Sequence, residues 1–344
     1  DGSEWKSGGV AIKLDDSAKY SNLHILDCKF YNFEYGINIV SSSSDKIFEN
    51  LYLENVCIYN SRAGLYTKYV KNVYINNFTF ENTKDQQELY RNITDKVSWT
   101  YWHHAGKSAY LNENTSNITI NNFNCKYPEE RALYNSSFEN LNINGIHCHN
   151  SSDYAPSGCV IKFDGVNGYV DNFNFTFDED KDKTYPYYKT DISPITMIGC
   201  NYGAISFRNS QNIEVKNGTI DFKDKTSYAG MTICGGSNNL KIHDIIMNNA
   251  QYKPIFMYYS YDESKDDNSL RDIEIYRLTT FNTAKYVTSP IINISDDYHT
   301  SGEKTEILLK NISVHDCEFY LNDKISSNET YSEYESTAGT SSII

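Results

Sequence analysis

Hydrophobic and polar residues alternate along this chain in a nine-residue pattern that occurs ten times. The pattern opens with Asn or another polar residue, has apolar residues at positions two, four, seven and nine, and mostly carries Asn or Asp at position six. Its copies begin at Asn22, Asn50, Asn72, Asn117, Asn140, Asn167, Asn212, Asn239, Asp272 and Glu306. Alternation with a period of two is typical of a strand with one buried face. Each copy therefore predicts two short strands.

Two positions of the pattern have distinct predicted roles. The fourth residue should face the core, and these residues are Ile25, Leu53, Ile75, Ile120, Ile143, Val170, Val215, Ile242, Ile275 and Leu309. The sixth residue should bend the chain between the two strands, and these residues are Asp27, Asn55, Asn77, Asn122, Gly145, Asn172, Asn217, Asp244, Arg277 and Asn311. Asn, Asp and Gly tolerate the left-handed backbone that a sharp bend requires.

A third strand is predicted before most copies of the pattern. Its segments begin with a small residue or Pro, at Gly9, Gly36, Gly158, Gly203, Gly230 and Pro290. Successive copies start 22 to 34 residues apart, except for two intervals of 45 residues. The sequence therefore predicts a three-stranded coil that repeats about ten times, with two long insertions.

A leucine-rich repeat is the main alternative, because it also places Asn near a short strand in a unit of similar length. Such a unit has one strand and a helical or extended return. Here β-branched and aromatic residues continue after the Asn, and no sustained 3.6-residue period is present. The pattern favours an all-β protein built from three-stranded coils.

This repeat resembles the right-handed parallel β-helix of the pectin lyase-like superfamily, of the phage tailspike and polysaccharide depolymerase type, over about residues 9 to 320. The resemblance implies a single-stranded parallel solenoid. It implies no particular activity, because the superfamily includes lyases, hydrolases, tailspikes and non-catalytic adhesins. The Asn-Thr-Asp, Gly-His-Gly and Arg-Ile-Lys elements of polygalacturonases are absent, and the pairs Asp15–Asp16 and Asp296–Asp297 lack that context. No catalytic residue is carried over.

Composition limits the domain organisation and the partners. A solenoid grows in one dimension, so residues 1–320 are interpreted as one domain, and 321–344 as a polar segment leading to a further domain. The net charge of −14 argues against binding to nucleic acid. The apolar runs are too short for membrane insertion, and no cofactor is indicated. The ends of the repeat lack helical caps, so we expect a homotrimer or a larger assembly.

The eight cysteines form no CxxC pair. Cys28, Cys125, Cys148 and Cys159 fall at inward strand positions, where stacked strands lie about 4.8 Å apart, farther than the Cβ atoms of a disulfide. Buried free thiols are therefore expected, as in a protein assembled in a reducing compartment.

The two long insertions are the expected functional region, because repeated coils are interchangeable and interruptions are not. They are Glu81–Ser108 and Asp178–Tyr202, and both precede a first strand, so they should leave the same edge of the solenoid about 14 Å apart. The aromatic and histidine residues proposed to bind substrate there are Trp99, Tyr101, Trp102, His103, Tyr185, Tyr187 and Tyr188. The floor between the insertions is predicted to be Tyr110, Asn112, Leu133, Asn135, Val160 and Lys162. Aromatic walls around a polar floor suit a polysaccharide, although the same rings could instead form small satellite cores.

Catalytic candidates are less well supported by the sequence. Asp153, Asp164 and Asp191 are candidate acids or bases, and His103 and His104 are candidate proton shuttles. Lys162, Arg131 and Arg208 are candidates for binding carboxylate or sulfate groups. No pair of carboxylates with glycosidase spacing is found on adjacent outward positions. Neighbouring residues on a strand face opposite sides, so the pair His103–His104 does not predict a metal site.

The expected function is glycan recognition by a tailspike-like host-attachment protein, on a virion or a cell surface, with or without depolymerase activity. Two alternatives remain at this point. One is a free extracellular polysaccharide lyase or glycoside hydrolase, and the other is a non-catalytic adhesin or structural solenoid.

Overall fold

A computed structural model describes residues 9–15, 20–94, 108–111, 114–129, 131–149, 159–178, 204–223, 229–250, 253–258, 269–283, 291–295 and 309–321. Of the predicted C-terminal segment 321–344, only Leu321 falls within these ranges. The described residues form an all-β structure in which every strand pairing is parallel. This confirms the predicted all-β class and the predicted parallel arrangement of the strands.

Twenty strands make up one curled sheet. They are β1 (Val10–Leu14), β2 (Ser21–Leu26), β3 (Lys29–Tyr31), β4 (Tyr35–Val40), β5 (Phe48–Tyr59), β6 (Ala63–Lys68), β7 (Val70–Glu81), β8 (Ala109–Leu111), β9 (Ser116–Lys126), β10 (Leu133–His149), β11 (Ile161–Thr176), β12 (Ile205–Arg208), β13 (Gln211–Asp221), β14 (Ala229–Cys234), β15 (Asn238–Asn248), β16 (Lys253–Tyr258), β17 (Leu270–Thr283), β18 (Ile292–Ser295), β19 (Leu309–His315) and β20 (Glu318–Leu321). A 3-10 turn covers Ser44–Lys46, and a helix, α1, covers Lys84–Thr94.

The strands pair in two series. The short strands that precede each nine-residue pattern pair in the order β1, β4, β6, β8, β10, β11, β12, β14, β16 and β18. The strands that carry the patterns pair in the order β2, β5, β7, β9, β10, β11, β13, β15, β17 and β19. The long strands β10 and β11 contain both a first strand and a pattern, so they belong to both series. The third strand that the sequence predicts before the patterns is therefore present.

The core is a stack of apolar residues supplied by equivalent positions of successive patterns. Leu53 lies opposite Ile75, Ile75 opposite Ile120, and Ile120 opposite Ile143, and each is at most 1% exposed. The stack runs from Ile25 to Ile275, as predicted for the first nine copies. Each such side chain stabilises the fold by about 1.5 to 3 kcal/mol through burial.

The bends between strands use left-handed residues at two positions of the pattern. The sixth-position residues Asn55 and Asn77 have φ of 51° and 54°, which confirms the predicted bend. The first-position residues Asn50 and Asn72 have φ of 63° and 59°, a second bend that the sequence analysis does not assign. Corners therefore recur every five residues within each pattern.

The corner side chains also form hydrogen-bonded ladders. The Nδ2 of Asn50 donates to the Oδ1 of Asn22 at 2.8 Å, and the Nδ2 of Asn72 donates to the Oδ1 of Asn50 at 2.8 Å. The ladder continues through Asn117 and Asn140, at 2.9 and 3.0 Å. A second ladder joins sixth-position residues, and its members are Asp27, Asn55, Asn77 and Asn122. Asn thus provides both the backbone conformation and the contact between coils.

The structure corrects the frame of the tenth pattern, which begins at Asn311 and not at Glu306. Val314 lies opposite Ile275, so it takes the place in the row that was assigned to Leu309, although at this end of the row its side chain is exposed. Asn311 and Asp316 are the two left-handed corners, with φ of 52° and 53°. The prediction was wrong by five residues because corners are five residues apart, so either frame places Asn311 at a corner.

Helix α1 lies in the first insertion, where the sequence analysis found no helical period. Its start has a capping box: the backbone N–H of Gln86 donates to Thr83 Oγ1 at 3.2 Å, and the backbone N–H of Thr83 donates to Gln86 Oε1 at 2.8 Å. The motif Thr83-x-x-Gln86 was therefore an available signal. Within the described ranges, α1 and the 3-10 turn are both too short and too polar to cross a membrane.

The cysteines of the described residues are free, as predicted. Cys125 lies directly opposite Cys148, and both are buried. Cys28 is half-buried and packs against the core.

Candidate functional site

Both insertions leave the sheet at the predicted edge. The first follows the end of β7 and precedes β8, and the second follows the end of β11 and precedes β12. Since β8 pairs with β10, β10 with β11 and β11 with β12, the two entry points are three strand spacings apart, or about 14 Å. The predicted residues that lie outside the described residues are Trp99, Tyr101, Trp102, His103, His104, Asn112, Asp153, Tyr185, Tyr187, Tyr188 and Asp191.

The surface between the entry points is the outward side of the first strands. We call it the first-strand face, and its central row is Tyr66, Tyr110, Tyr134 and Lys162, which continues in register through the buried residues Ser206 and Thr232. The rings of Tyr66 and Tyr110 are 5.1 Å apart, and those of Tyr110 and Tyr134 are 4.9 Å apart and inclined by 8°. Neighbouring rings thus lie against both sides of the Tyr110 ring. Tyr110 is only 8% exposed, so its edge and hydroxyl, not its ring face, are the parts suited to ligand contact.

The predicted floor is partly wrong. Leu133, Asn135 and Val160 are buried on the core side, and Tyr134 takes the outward position opposite Tyr110. The prediction was displaced by one residue in β10, and a shift of one residue moves every side chain of a strand to the other face. Tyr134 follows a small residue and then an aliphatic residue, and so does Tyr66, which also faces outward. This three-residue sequence was the available signal for Tyr134. Asn135 is fully buried, and its amide has no hydrogen-bond partner among the described residues.

Cationic side chains gather beside Tyr134. The Arg131 guanidinium lies 5.1 Å from the centre of the Tyr134 ring, and Lys162 Nζ lies 5.2 Å from it. Arg131 is 3% exposed. Burial lowers the pKa of Lys162, and the charge of Arg131 lowers it further, while Asp164 acts in the opposite direction. The structure therefore brings together two residues that the sequence proposed for binding anions.

The next outward row adds a carboxylate and a third cation. Asp164 on β11 lies directly opposite Arg208 on β12. Both side chains are half-buried. Of the three predicted acids, only Asp164 is in the described ranges. It lies one strand spacing from Arg208, a residue proposed to bind anions.

A buried ion pair lies near the start of the Tyr66 strand. Arg62 Nε is 3.0 Å from Glu129 Oε2, and the two side chains are 5% and 4% exposed. The pKa values of two neighbouring tyrosines, Tyr35 and Tyr90, are raised to about 12, mainly because their hydroxyl groups are buried. Sequence reasoning missed this pair, because its members are 67 residues apart and no local pattern joins them.

A separate polar cluster contains two histidines that each bridge two carboxylates. His315 Nδ1 is 2.9 Å from Asp316 Oδ2, and His315 Nε2 is 3.2 Å from Glu274 Oε1. His243 makes the equivalent contacts with Asp244 and Glu214, at 2.6 and 3.0 Å. At His315 both ring nitrogens face carboxylate oxygens, so both donate, which favours the imidazolium. The bond to Asp316, followed by the bond to Glu274, raises the pKa of His315.

These contacts predict a pH-dependent contribution to stability. Because the folded-state pKa of His315 is raised, its contribution is fully present below the unfolded value of about 6.5 and is lost as pH rises through the folded value. We expect the free energy of unfolding to fall as the pH rises above about 6.5, and to fall less in His315→Gln. Urea unfolding at several pH values measures this.

His24 provides the matched control, because it stacks on Tyr52 at 4.4 Å as His315 stacks on Tyr276, and no described carboxylate pairs with it. His24→Gln should leave the pH profile unchanged. An equal change of profile in both variants would contradict the assignment to the carboxylate contacts.

Comparisons of the chain with protein-family models, with curated proteins and with solved structures found no match. The class that the structure itself defines is an all-β protein of in-register parallel strands, with a tyrosine and cation row on one outward face. Within the described ranges, no group of three or more His, Cys, Asp or Glu side chains is arranged to hold a metal ion.

Proposed function

We propose that this chain is a right-handed parallel β-helix of about ten three-stranded coils, similar to the pectin lyase-like tailspikes and depolymerases. We propose further that its first-strand face recognises a polysaccharide or cell-surface glycan that carries acidic groups. Support comes from the two series of parallel pairings, from the corner ladders, and from the two insertions that enter beside the same face.

The observation that carries this proposal is the group of three cations on adjacent strands. Arg131 lies just before β10, Lys162 on β11 and Arg208 on β12. Burial lowers the pKa of Lys162, and the charges of both guanidinium groups lower it further. The chain has a net charge of −14, so a local cationic group is a departure from its overall charge. Guanidinium groups bind carboxylate and sulfate oxygens through paired hydrogen bonds, and an ammonium group adds a point charge.

The biological role proposed for this binding is attachment to a host surface, with the protein on a virion or outside a cell. A homotrimer or a larger assembly would then present several copies of the face, which raises the overall affinity without new contacts. Sedimentation of the purified chain tests this part of the proposal: a monomer at micromolar concentration would contradict it.

A polysaccharide lyase is the second candidate, favoured by the lowered pKa of Lys162. A neutral amine can accept the proton next to a uronate carboxylate, and the electron pair then forms a carbon–carbon double bond as the glycosidic C–O bond breaks. The leaving oxygen takes a proton, and Arg131 and Arg208 would stabilise the charge that develops on the carboxylate. The products would be a new reducing end and an unsaturated sugar.

The experiment measures the retention of uronate-containing, sulfated and neutral polysaccharides by the purified chain. We expect acidic glycans to be retained, retention to weaken as salt rises, and Arg208→Gln to reduce affinity at least about tenfold, the loss of one charged hydrogen-bonding partner. Lys241→Gln removes an exposed charge from another face and is the control. Equal binding by the wild type and Arg208→Gln would overturn the proposal.

Product analysis on the same samples distinguishes the two candidates. Retention without new chain ends favours an attachment module. Release of unsaturated ends that is abolished in Lys162→Met favours a lyase. If Trp99→Ala and Trp102→Ala leave binding unchanged, the predicted aromatic wall is not part of the binding site.

A further inference from the structure

A cleft of about 270 Å³ lies on a different face of the molecule. It is on the outward side of β7, β9, β10 and β11, beyond the sixth-position corner of each pattern, and we call it the third-strand cleft. Its lining residues are Thr79, Phe80, Glu81, Asn124, Cys125, Lys126, His147, Cys148, His149, Asn174 and Thr176.

One row of the cleft carries uncharged polar groups in register. Thr79 lies opposite Asn124, Asn124 opposite His147, and His147 opposite Asn174, so the row spans about 14 Å. Asn124 Nδ2 donates to Asn122 at 3.2 Å, which leaves its carbonyl oxygen available as an acceptor. Asn174 Oδ1 accepts from Thr219 at 2.6 Å, which leaves its amide nitrogen available as a donor. The imidazole of His147, between them, can supply one donor and one acceptor.

The other row carries charged groups that are already paired. Lys126 Nζ lies 3.4 Å from Glu81 Oε1. His149 Nε2 lies 3.0 Å from Asp178 Oδ1, and His149 Nδ1 lies 2.9 Å from Thr176 Oγ1. Tyr127 donates its hydroxyl proton to Asp178 Oδ2 at 2.8 Å, and its ring lies edge-on to His149. These contacts fix the rim and offset its charges, so the cleft has no strong preference for an anion or a cation.

We propose that the third-strand cleft binds an uncharged sugar residue. A sugar hydroxyl both donates and accepts, and the row of Asn124, His147 and Asn174 offers acceptors and donors in alternation along one edge. The volume suits one pyranose ring rather than a long chain. This proposal does not rest on the first-strand face, which carries cations and lies, on the shared strands β10 and β11, at the opposite end of each strand.

Binding is tested by saturation-transfer NMR with the methyl glycosides of glucose, galactose, mannose and N-acetylglucosamine. We expect transfer to at least one of them, and at least tenfold weaker binding in Asn124→Ala and His147→Ala. Asn142→Ala is the control, because Asn142 lies on the same strand as His147 but faces outward before the corner. Arg208→Gln should leave the signal unchanged, which separates this site from the first-strand face.

A second measurement uses the unaltered protein and does not depend on how the variants fold. The ring resonances of His147 should shift as the sugar is added, while those of His24, on another face, should not. Absence of transfer from all four glycosides, or transfer that persists in Asn124→Ala and His147→Ala with no shift of the His147 resonances, would overturn the proposal.

Discussion

Glu129→Ala is expected to lower the free energy of unfolding by about 3 to 5 kcal/mol, the usual cost of removing one partner of a buried ion pair. Glu129 Oε2 lies 3.0 Å from Arg62 Nε, and both side chains are almost fully buried. The substitution removes this carboxylate while the guanidinium keeps its charge. Gln87 near α1's start donates to the carbonyl oxygen of Pro128 at 2.6 Å, next to Glu129, so the attachment of α1 should weaken as well.

Two further variants give this prediction its controls, with all free energies measured by urea unfolding. Glu81→Ala removes the carboxylate of an exposed pair and should cost less than about 1 kcal/mol. Arg62→Met/Glu129→Leu replaces both charges by apolar side chains and should regain most of the loss. If Glu129→Ala costs no more than Glu81→Ala, the buried pair does not stabilise the fold.

Asn72→Ala is expected to lower the free energy of unfolding by about 3 to 4 kcal/mol, from two ladder hydrogen bonds at about 1 kcal/mol each and a left-handed alanine at about 1 to 2 kcal/mol. Asn72 donates to Asn50 and accepts from Asn117. Its φ of 59° is unfavourable for Ala and acceptable for Gly. Asn72→Gly should therefore lose the ladder bonds but avoid most of the conformational cost.

Asn76→Ala is the matched control, because Asn76 is exposed on the same strand and is not a corner. Its effect should stay within about 0.5 kcal/mol. If Asn72→Ala and Asn76→Ala were equally stable, the corner ladder would have no role in stability. If Asn72→Gly lowers the free energy of unfolding as much as Asn72→Ala does, the whole effect comes from the lost hydrogen bonds.

The candidate site was only partly predictable from sequence. Arg131, Lys162 and Arg208 were identified from their residue types, and the structure places them just before β10, on β11 and on β12. Tyr134 was missed because the frame of β10 was displaced by one residue, and strand alternation gives no warning of such a shift. The third-strand cleft was missed because its residues come from four patterns, and in each of them alone they are ordinary exposed polar positions.

Helix α1 and the tenth pattern show two different reasons for error. The capping box at Thr83 and Gln86 was visible in the sequence, but the strand periodicity around it was given more weight. The frame at Asn311 could not be chosen locally, because both frames place an Asn at a corner. Only the pairing of Val314 with Ile275 decides between them.

The sequence alone determined the all-β class, the core row from Ile25 to Ile275, the sixth-position corners and the points where the insertions enter. These features depend on alternation and on residue conformational preferences, which act over a few neighbouring residues. The tertiary structure alone decided the strand register, the Asn ladders, the Arg62–Glu129 pair and the composition of both outward surfaces. These depend on contacts between residues roughly 20 to 70 positions apart, so the intervening chain must be closed into a loop before each contact can form.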